Sequence, residues 1–143
     1  MHGENKRIVL VGGCFDLIHF GHVSFLKTAK TYGDLLLVAL ESDENVRRMK
    51  GDSRPIHTQI QRKAMLESLS VVDEVLPLSP MRSDQDYFDL VKKIRPTCIA
   101  LTEGDPYISH KQKQAESVGA SVVVIPKIHT PSTSQLAKLL NLE

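Results

Sequence analysis

A Rossmann-like α/β fold, a doubly wound five-stranded parallel sheet in a single domain, is the architecture this sequence predicts, on three observations. Short leucine-rich and β-branched runs recur along the chain, each bounded by glycine, proline or charged residues. Segments with apolar residues at helical spacing separate them, the alternation that builds βα units with a sheet covered on both faces. The length of 143 residues suits one domain, and no internal repeat, low-complexity tract or linker divides it, so residues 1–143 are read as one unit with a core from about 7 to 140.

The elements follow in order. Ile8-Val9-Leu10-Val11 is a buried strand ending in the turn glycines Gly12 and Gly13, and Val23, Phe25, Leu26 and Ala29 mark a helix from about His22 to Tyr32. Asp34 to Leu40 is a second strand, Asn45 to Met49 a short helical piece, and Lys50 to Pro55 a polar loop. Thr58 and Gln61 have capping-box spacing and open a helix over 59–68, which ends before a third strand fed by Val71 to Leu76. Tyr87, Leu90, Val91 and Ile94 form one helical face, stopped after Arg95 by Pro96. Thr97 to Leu101 is the fourth strand, His110 to Val118 a polar helix closed by Gly119, and Ser121 to Ile125 the fifth strand. Ser132-Thr133-Ser134 opens a last helix carrying Leu136, Leu139 and Leu140.

Composition narrows the function classes. A net charge of +1 gives no broad basic face for nucleic acid, so anion recognition should be local. The first residues lack the apolar core of a signal peptide and no apolar stretch reaches the length of a membrane span, which predicts a cytoplasmic protein without a membrane partner. Cys14 and Cys98 do not suggest a disulfide framework, and the histidines His2, His57, His110 and His129 show no paired ligand spacing for zinc. No metal ligand set is assigned.

The segment Gly12-Gly13-Cys14-Phe15-Asp16-Leu17-Ile18-His19-Phe20-Gly21-His22 carries the chemistry. It places His19, Gly21 and His22 at or just before a helix N-terminus, where unpaired N–H groups and the helix dipole attract anions. Gly21 lets a phosphate approach the backbone, and both histidines can add donors. In doubly wound sheets, ligands bind beyond the C-terminal strand ends. That rule gathers this turn, the loop after Leu40, the loop Thr102 to Tyr107 and the loop Lys127 to Ser134.

The strand, the G-C-F-D turn and the H-F-G-H tetrapeptide resemble the signature of the cytidylyltransferase-like nucleotidyltransferases, the H-x-G-H superfamily. Three further blocks extend the likeness from about Arg7 to Leu140. Ser42-Asp43, Lys50-Gly51-Asp52-Ser53-Arg54-Pro55 and Gln61-Arg62 are similar to the adenylyltransferase domain of the bifunctional heptose-phosphate enzymes of lipopolysaccharide-core biosynthesis. Gly104 and Asp105 match a glycine-acid pair that helps to form the base pocket, although Thr102 stands where sugar-phosphate relatives have lysine and Pro106 moves the aromatic Tyr107 one place later. Ser132-Thr133-Ser134 resembles a hydroxyl-rich helix start that suits the outgoing phosphates, with Lys127 where glycerol-3-phosphate cytidylyltransferase has arginine.

The resemblance implies transfer of a nucleoside monophosphate from ATP or CTP to a small phosphorylated acceptor, with release of pyrophosphate. It implies catalytic roles for His19, His22, Lys50 and Arg62, and nucleotide contacts from Gly13, Cys14, Phe15, Asp16, Gly21, Gly104, Asp105, Ser132, Thr133 and Ser134. Lys50, Arg54 and Lys127 would bind the second substrate, while Asp16 is read as ordering the turn rather than binding metal. Arg is a rigid bidentate fork for phosphate and Lys a mobile point charge, which suits charge held on two substrates at once. Mg2+ would come bound through the nucleotide phosphates, since no dedicated carboxylate cage is visible. A sugar 1-phosphate is the leading acceptor; FMN, or glycerol 3-phosphate with CTP, are the alternatives, and a non-catalytic nucleotide-binding domain is the reading from another class. The family also implies a homodimer.

Overall fold

The computed structural model describes residues 5–128 and 133–141. Its strands are β1 (Ile8–Gly13), β2 (Leu35–Leu40), β3 (Glu74–Pro77), β4 (Cys98–Thr102) and β5 (Ser121–Ile125), all parallel in the order β3-β2-β1-β4-β5. The helices are α1 (Phe20–Lys30), α2 (Asp43–Lys50), α3 (Gln59–Glu67), α4 (Asp84–Ile94), α5 (Ile108–Ser117) and α6 (Thr133–Leu139). The doubly wound sheet is therefore the one the alternating pattern predicts, with most boundaries within a few residues.

Side chains alternate along the strands and divide the core in two. Val9 and Val11 with Leu36 and Val38 face α1 and α3, where Leu26, Ala29 and Leu66 close the layer. Ile8 and Leu10 with Leu37 and Ala39 face the other way, against Val91 of α4 and Ala115 of α5. Both faces of the middle strands are covered, which is why they read as unbroken apolar runs.

Two boundaries moved for identifiable reasons. α1 begins at Phe20, ahead of the expected start near His22, because His19 itself caps the helix. α4 begins at Asp84, ahead of the apolar face that starts at Tyr87, with Asp84 and Asp86 complementing the dipole of the first turn. The expected box at α3 is present: Gln61 N donates to Thr58 Oγ1 at 3.3 Å and Thr58 N to Gln61 Oε1 at 3.1 Å.

Strand order reverses between β1 and β4, and there the pairing is short. β1 aligns with β2 over six residues but with β4 over only Val9↔Cys98 and Leu10↔Ile99. Beyond Leu10 the sheet parts, which opens a crevice at the C-terminal strand ends, where a doubly wound sheet binds its ligand.

Candidate active site

Four strand ends surround that crevice: Gly13 of β1, Leu40 of β2, Thr102 of β4 and Ile125 of β5. On the β1 side the chain turns through Cys14 to Leu17 before α1. Phe15 and Leu17 adopt left-handed backbone angles, φ 48° and 56°, and the Phe15 ring folds back over Gly13. A Cβ on Gly13 would stand 2.9 Å from that ring, so only glycine fits without displacing it.

The two motif histidines build the start of α1 between them. Gly21 N donates to His19 Nδ1 at 3.1 Å, and His19 N donates to His22 Nδ1 at 3.1 Å. The rings stack with centroids 3.9 Å apart. A backbone N–H can only donate, so both Nδ1 atoms lack a proton and each neutral ring carries its single proton on Nε2. Burial lowers the pKa of His19; burial, with the His19 and Lys50 charges, pushes His22 down to about 4. The pair is thus a set of neutral N–H donors at a helix N-terminus, suited to an anion.

Behind this surface lies a buried ionic knot. Asp16 accepts from Arg54 Nε at 2.8 Å, from Ile56 N at 2.7 Å and from His57 N at 3.0 Å, and both side chains of the ion pair are almost fully enclosed. Burial works to raise the Asp16 pKa, but the two amides and the guanidinium outweigh it and hold the carboxyl below its usual range. Asp16 therefore orders the turn by tying it to the loop after α2.

Arg62 departs from expectation. Its side chain is 0% exposed, and it donates through Nε to His57 O at 3.0 Å, Nη1 to Cys14 O at 2.7 Å and Nη2 to Asp43 Oδ1 at 2.8 Å. It borders neither cavity described below. A contact with substrate phosphate is therefore not what this geometry offers; Arg62 holds the glycine turn, α2 and the α3 entry together. Arg54 borders a cavity but has its guanidinium turned to Asp16.

Two cavities of about 600 Å3 each meet at Gly12 to Phe15, His22, Lys50, Asp105 and Lys111. One lies on the β4–β5 side and is bordered by His19, Gly21, Thr102 and Lys127. The other runs toward β2 and α4 and is bordered by Glu41, Arg48, Met81, Arg82 and Tyr87. Lys50, exposed at the end of α2, stands where both open. Asp105 accepts from Lys111 Nζ at 2.6 Å and from Tyr107 N at 2.8 Å, so its carboxylate fixes the loop and a lysine together. Gly104 has φ 82° and serves the turn. Cys14 borders both cavities, yet burial raises its pKa, with the Lys50 charge acting the other way, and keeps it a thiol.

Sequence reasoning missed Lys111 and the cavity role of Tyr87. Lys111 sits in a polar helix beside a second lysine, Lys113, and Tyr87 has the spacing of a core position. Ser132 and the side chains of Thr133 and Ser134 lie outside the described residues. Among the described residues, no group of three or more His, Cys, Asp or Glu is arranged to hold a metal ion. No helix among them is long and apolar enough to cross a membrane.

Comparison with known proteins bears on this geometry. A model of the cytidylyltransferase-like family matches residues 10–138. The bifunctional protein HldE of a Nitratiruptor species is 36% identical over 138 residues, 96% of this chain and 28% of that protein. HldE of Campylobacter curvus is 37% identical over 134 residues, 93% of this chain and 27% of that protein. The chain thus spans little more than a quarter of the length of these relatives. Among solved structures, a lipopolysaccharide core biosynthesis protein from Thermoplasma volcanium superposes with TM-score 0.69 at 25% identity, covering 87% of this chain and 98% of that one. A pantoate-beta-alanine ligase from Francisella tularensis, at 16% identity and TM-score 0.68 over 96% of this chain and 67% of that one, shares the fold alone.

Proposed function

The chain belongs to the cytidylyltransferase-like family, and from that premise we propose that it is a nucleotidyltransferase that moves AMP from ATP to a sugar phosphate and releases pyrophosphate. One observation carries the reading: two cavities join at His22 and an exposed lysine, with the second neutral imidazole donor, His19, stacked on His22 at the edge of the β4–β5 cavity. The likeness to HldE supports ATP and a sugar phosphate over FMN or over glycerol 3-phosphate with CTP.

In this mechanism the nucleotide lies in the β4–β5 cavity and the acceptor in the β2–α4 cavity. A phosphate oxygen of the acceptor attacks the α-phosphorus, and the bond to the bridging oxygen of pyrophosphate breaks on the opposite side. The acceptor phosphate is already a nucleophilic anion, so no general base is needed, and catalysis rests on positioning and charge stabilisation. His19 and His22 donate from Nε2 to α-phosphate oxygens as negative charge builds. Lys50 neutralises the approaching phosphate, and Gly21 leaves the backbone open to the nucleotide. The Ser132 to Ser134 segment contacts the outgoing phosphates, and Lys127, which borders the β4–β5 cavity and not the β2–α4 one, acts there rather than on the second substrate. Gly13, Cys14, Phe15, Gly104 and Asp105 shape the nucleotide cavity, while Asp16, Arg54 and Arg62 hold the glycine turn from behind. Mg2+ would enter bound through the nucleotide phosphates, as part of the substrate. We read the protein as a cytoplasmic homodimer, and sedimentation of the purified chain checks the dimer.

Pyrophosphate release across nucleoside triphosphates and phosphorylated acceptors tests the proposal. Release is expected with ATP and an aldose 1-phosphate. Release with no pair, despite measurable nucleotide binding, would make the chain a binding domain instead.

A further inference from the structure

Glu41 lies at the C-terminal end of β2, directly after Leu40, and is 7% exposed. Tyr87 reaches it from α4, its hydroxyl 2.9 Å from Oε2, and Asn45 Nδ2 donates to Oε1 at 3.2 Å. Asn45 is in turn held through Met81 O at 3.2 Å, and its own Oδ1 is buried without a partner. Burial, followed by the Glu41 charge, raises the Tyr87 pKa, so the phenol remains a donor. A carboxylate offers about four acceptor directions. Tyr87 and Asn45 each supply one donor proton, which leaves acceptor capacity on a side chain that borders the β2–α4 cavity.

No ion pair joins Glu41 to a cation among the described residues; the two groups that hold it are neutral donors. A buried carboxylate of this kind is costly unless further hydrogen bonds complete it. The same cavity is bordered by Arg48, Lys50 and Arg82, so its rim is cationic. An amine would meet that rim unfavourably, and a second anion would meet Glu41. Neutral O–H donors satisfy both, while the phosphate of the same molecule stays at Lys50 and His22.

We infer that Glu41 is a specificity-determining residue for the acceptor: fixed by Tyr87 and Asn45, its carboxylate accepts hydrogen bonds from hydroxyls of a polyhydroxylated molecule that carries the reacting phosphate. The inference rests on the proposed phosphoryl acceptor in this cavity, and it assigns the recognition of that acceptor's carbon skeleton to one side chain. Tyr87 is a positioning residue that aims the carboxylate.

Calorimetric binding to the whole chain tests this without turnover, with α-D-mannose 1-phosphate, ethyl phosphate, ethanolamine phosphate and ATP as probes. The sugar phosphate should bind at least tenfold more tightly than ethyl phosphate. In Glu41→Gln that preference should fall about tenfold, the loss of a charge-assisted hydrogen bond, while ATP and ethyl phosphate affinities stay within twofold. Tyr87→Phe should cut the preference about threefold with the same ATP affinity, and it decides the matter if Glu41→Gln fails to fold. An unchanged preference in the folded variant, no preference in the parent, or tighter binding of ethanolamine phosphate would each overturn the inference. Absence of pyrophosphate release with an intact sugar preference would instead refute the transferase reading and leave the Glu41 site standing.

Discussion

The start of α1 and the knot around Asp16 are both dense in functional-looking side chains, and they are built in opposite ways. At α1 the polar atoms His19 Nδ1 and His22 Nδ1 are engaged by backbone amides, and the remaining Nε2 of each ring is left for a ligand. In the knot the Arg62 donors and the Asp16 acceptors are directed at the protein itself. The first region binds by presenting donors that its own backbone has oriented. The second supplies stiffness, by fastening the glycine turn to two loops that are distant in sequence.

Substitutions can break this contrast. The largest effect is expected from Asp16→Ala, which removes the buried acceptor of Arg54 Nε and of two amides; a stability loss of about 3 kcal/mol, seen in denaturant unfolding, is the expected size for a broken buried pair. Next comes the α1 side. His19→Ala and His22→Ala should each slow pyrophosphate release about 100-fold, as for loss of one preorganised donor. His19→Asn sharpens this, because asparagine caps helices well: it should melt like the parent yet remain as slow as the alanine variant. Equal turnover of His19→Asn and the parent would reduce His19 to a cap.

The titration of His22 separates the regions by pH. The unfolded chain takes up a proton on this ring near its usual 6.5 and the folded chain only near 4. Stability should therefore be full above that window and fall as pH drops through it, by at most about 1.4 kcal/mol per pH unit from this group. Unfolding midpoints for His22→Asn should show a shallower decline over the same range. Asp16, whose carboxyl is held low, contributes its loss at more acidic pH. The smallest effect is expected from Lys50→Ala on stability, within about 0.5 kcal/mol because the side chain is exposed. Its turnover should nonetheless fall about tenfold or more.

Much of this was legible in the chain. Alternation of apolar runs with helical spacing is a local property, and so is the Thr58 to Gln61 box, so strands, helices and the phosphate-facing turn could be read directly. What could not be read was the direction of arginine side chains. Arg54 and Arg62 follow the same loop as the exposed Lys50, and only the return of the chain against Asp16 and Cys14 turns them inward. Those partners are 38 and 48 residues away, beyond any periodicity. The cap at His19 is a local feature, and it does not compete with a ligand role, because it uses Nδ1 and leaves Nε2. Tyr87 shows the complementary difficulty: helical spacing assigned its ring to the core, but its hydroxyl emerges in the cavity beside Glu41.

The brief contact between β1 and β4 has a mechanical consequence. With two aligned residue pairs on that seam against six between β1 and β2, a load that spreads the crevice is carried mostly by a short stretch near Val9 and Leu10. The sheet is least braced along one line, and that line runs beneath the β2–α4 cavity, which Leu10 and Ile99 border.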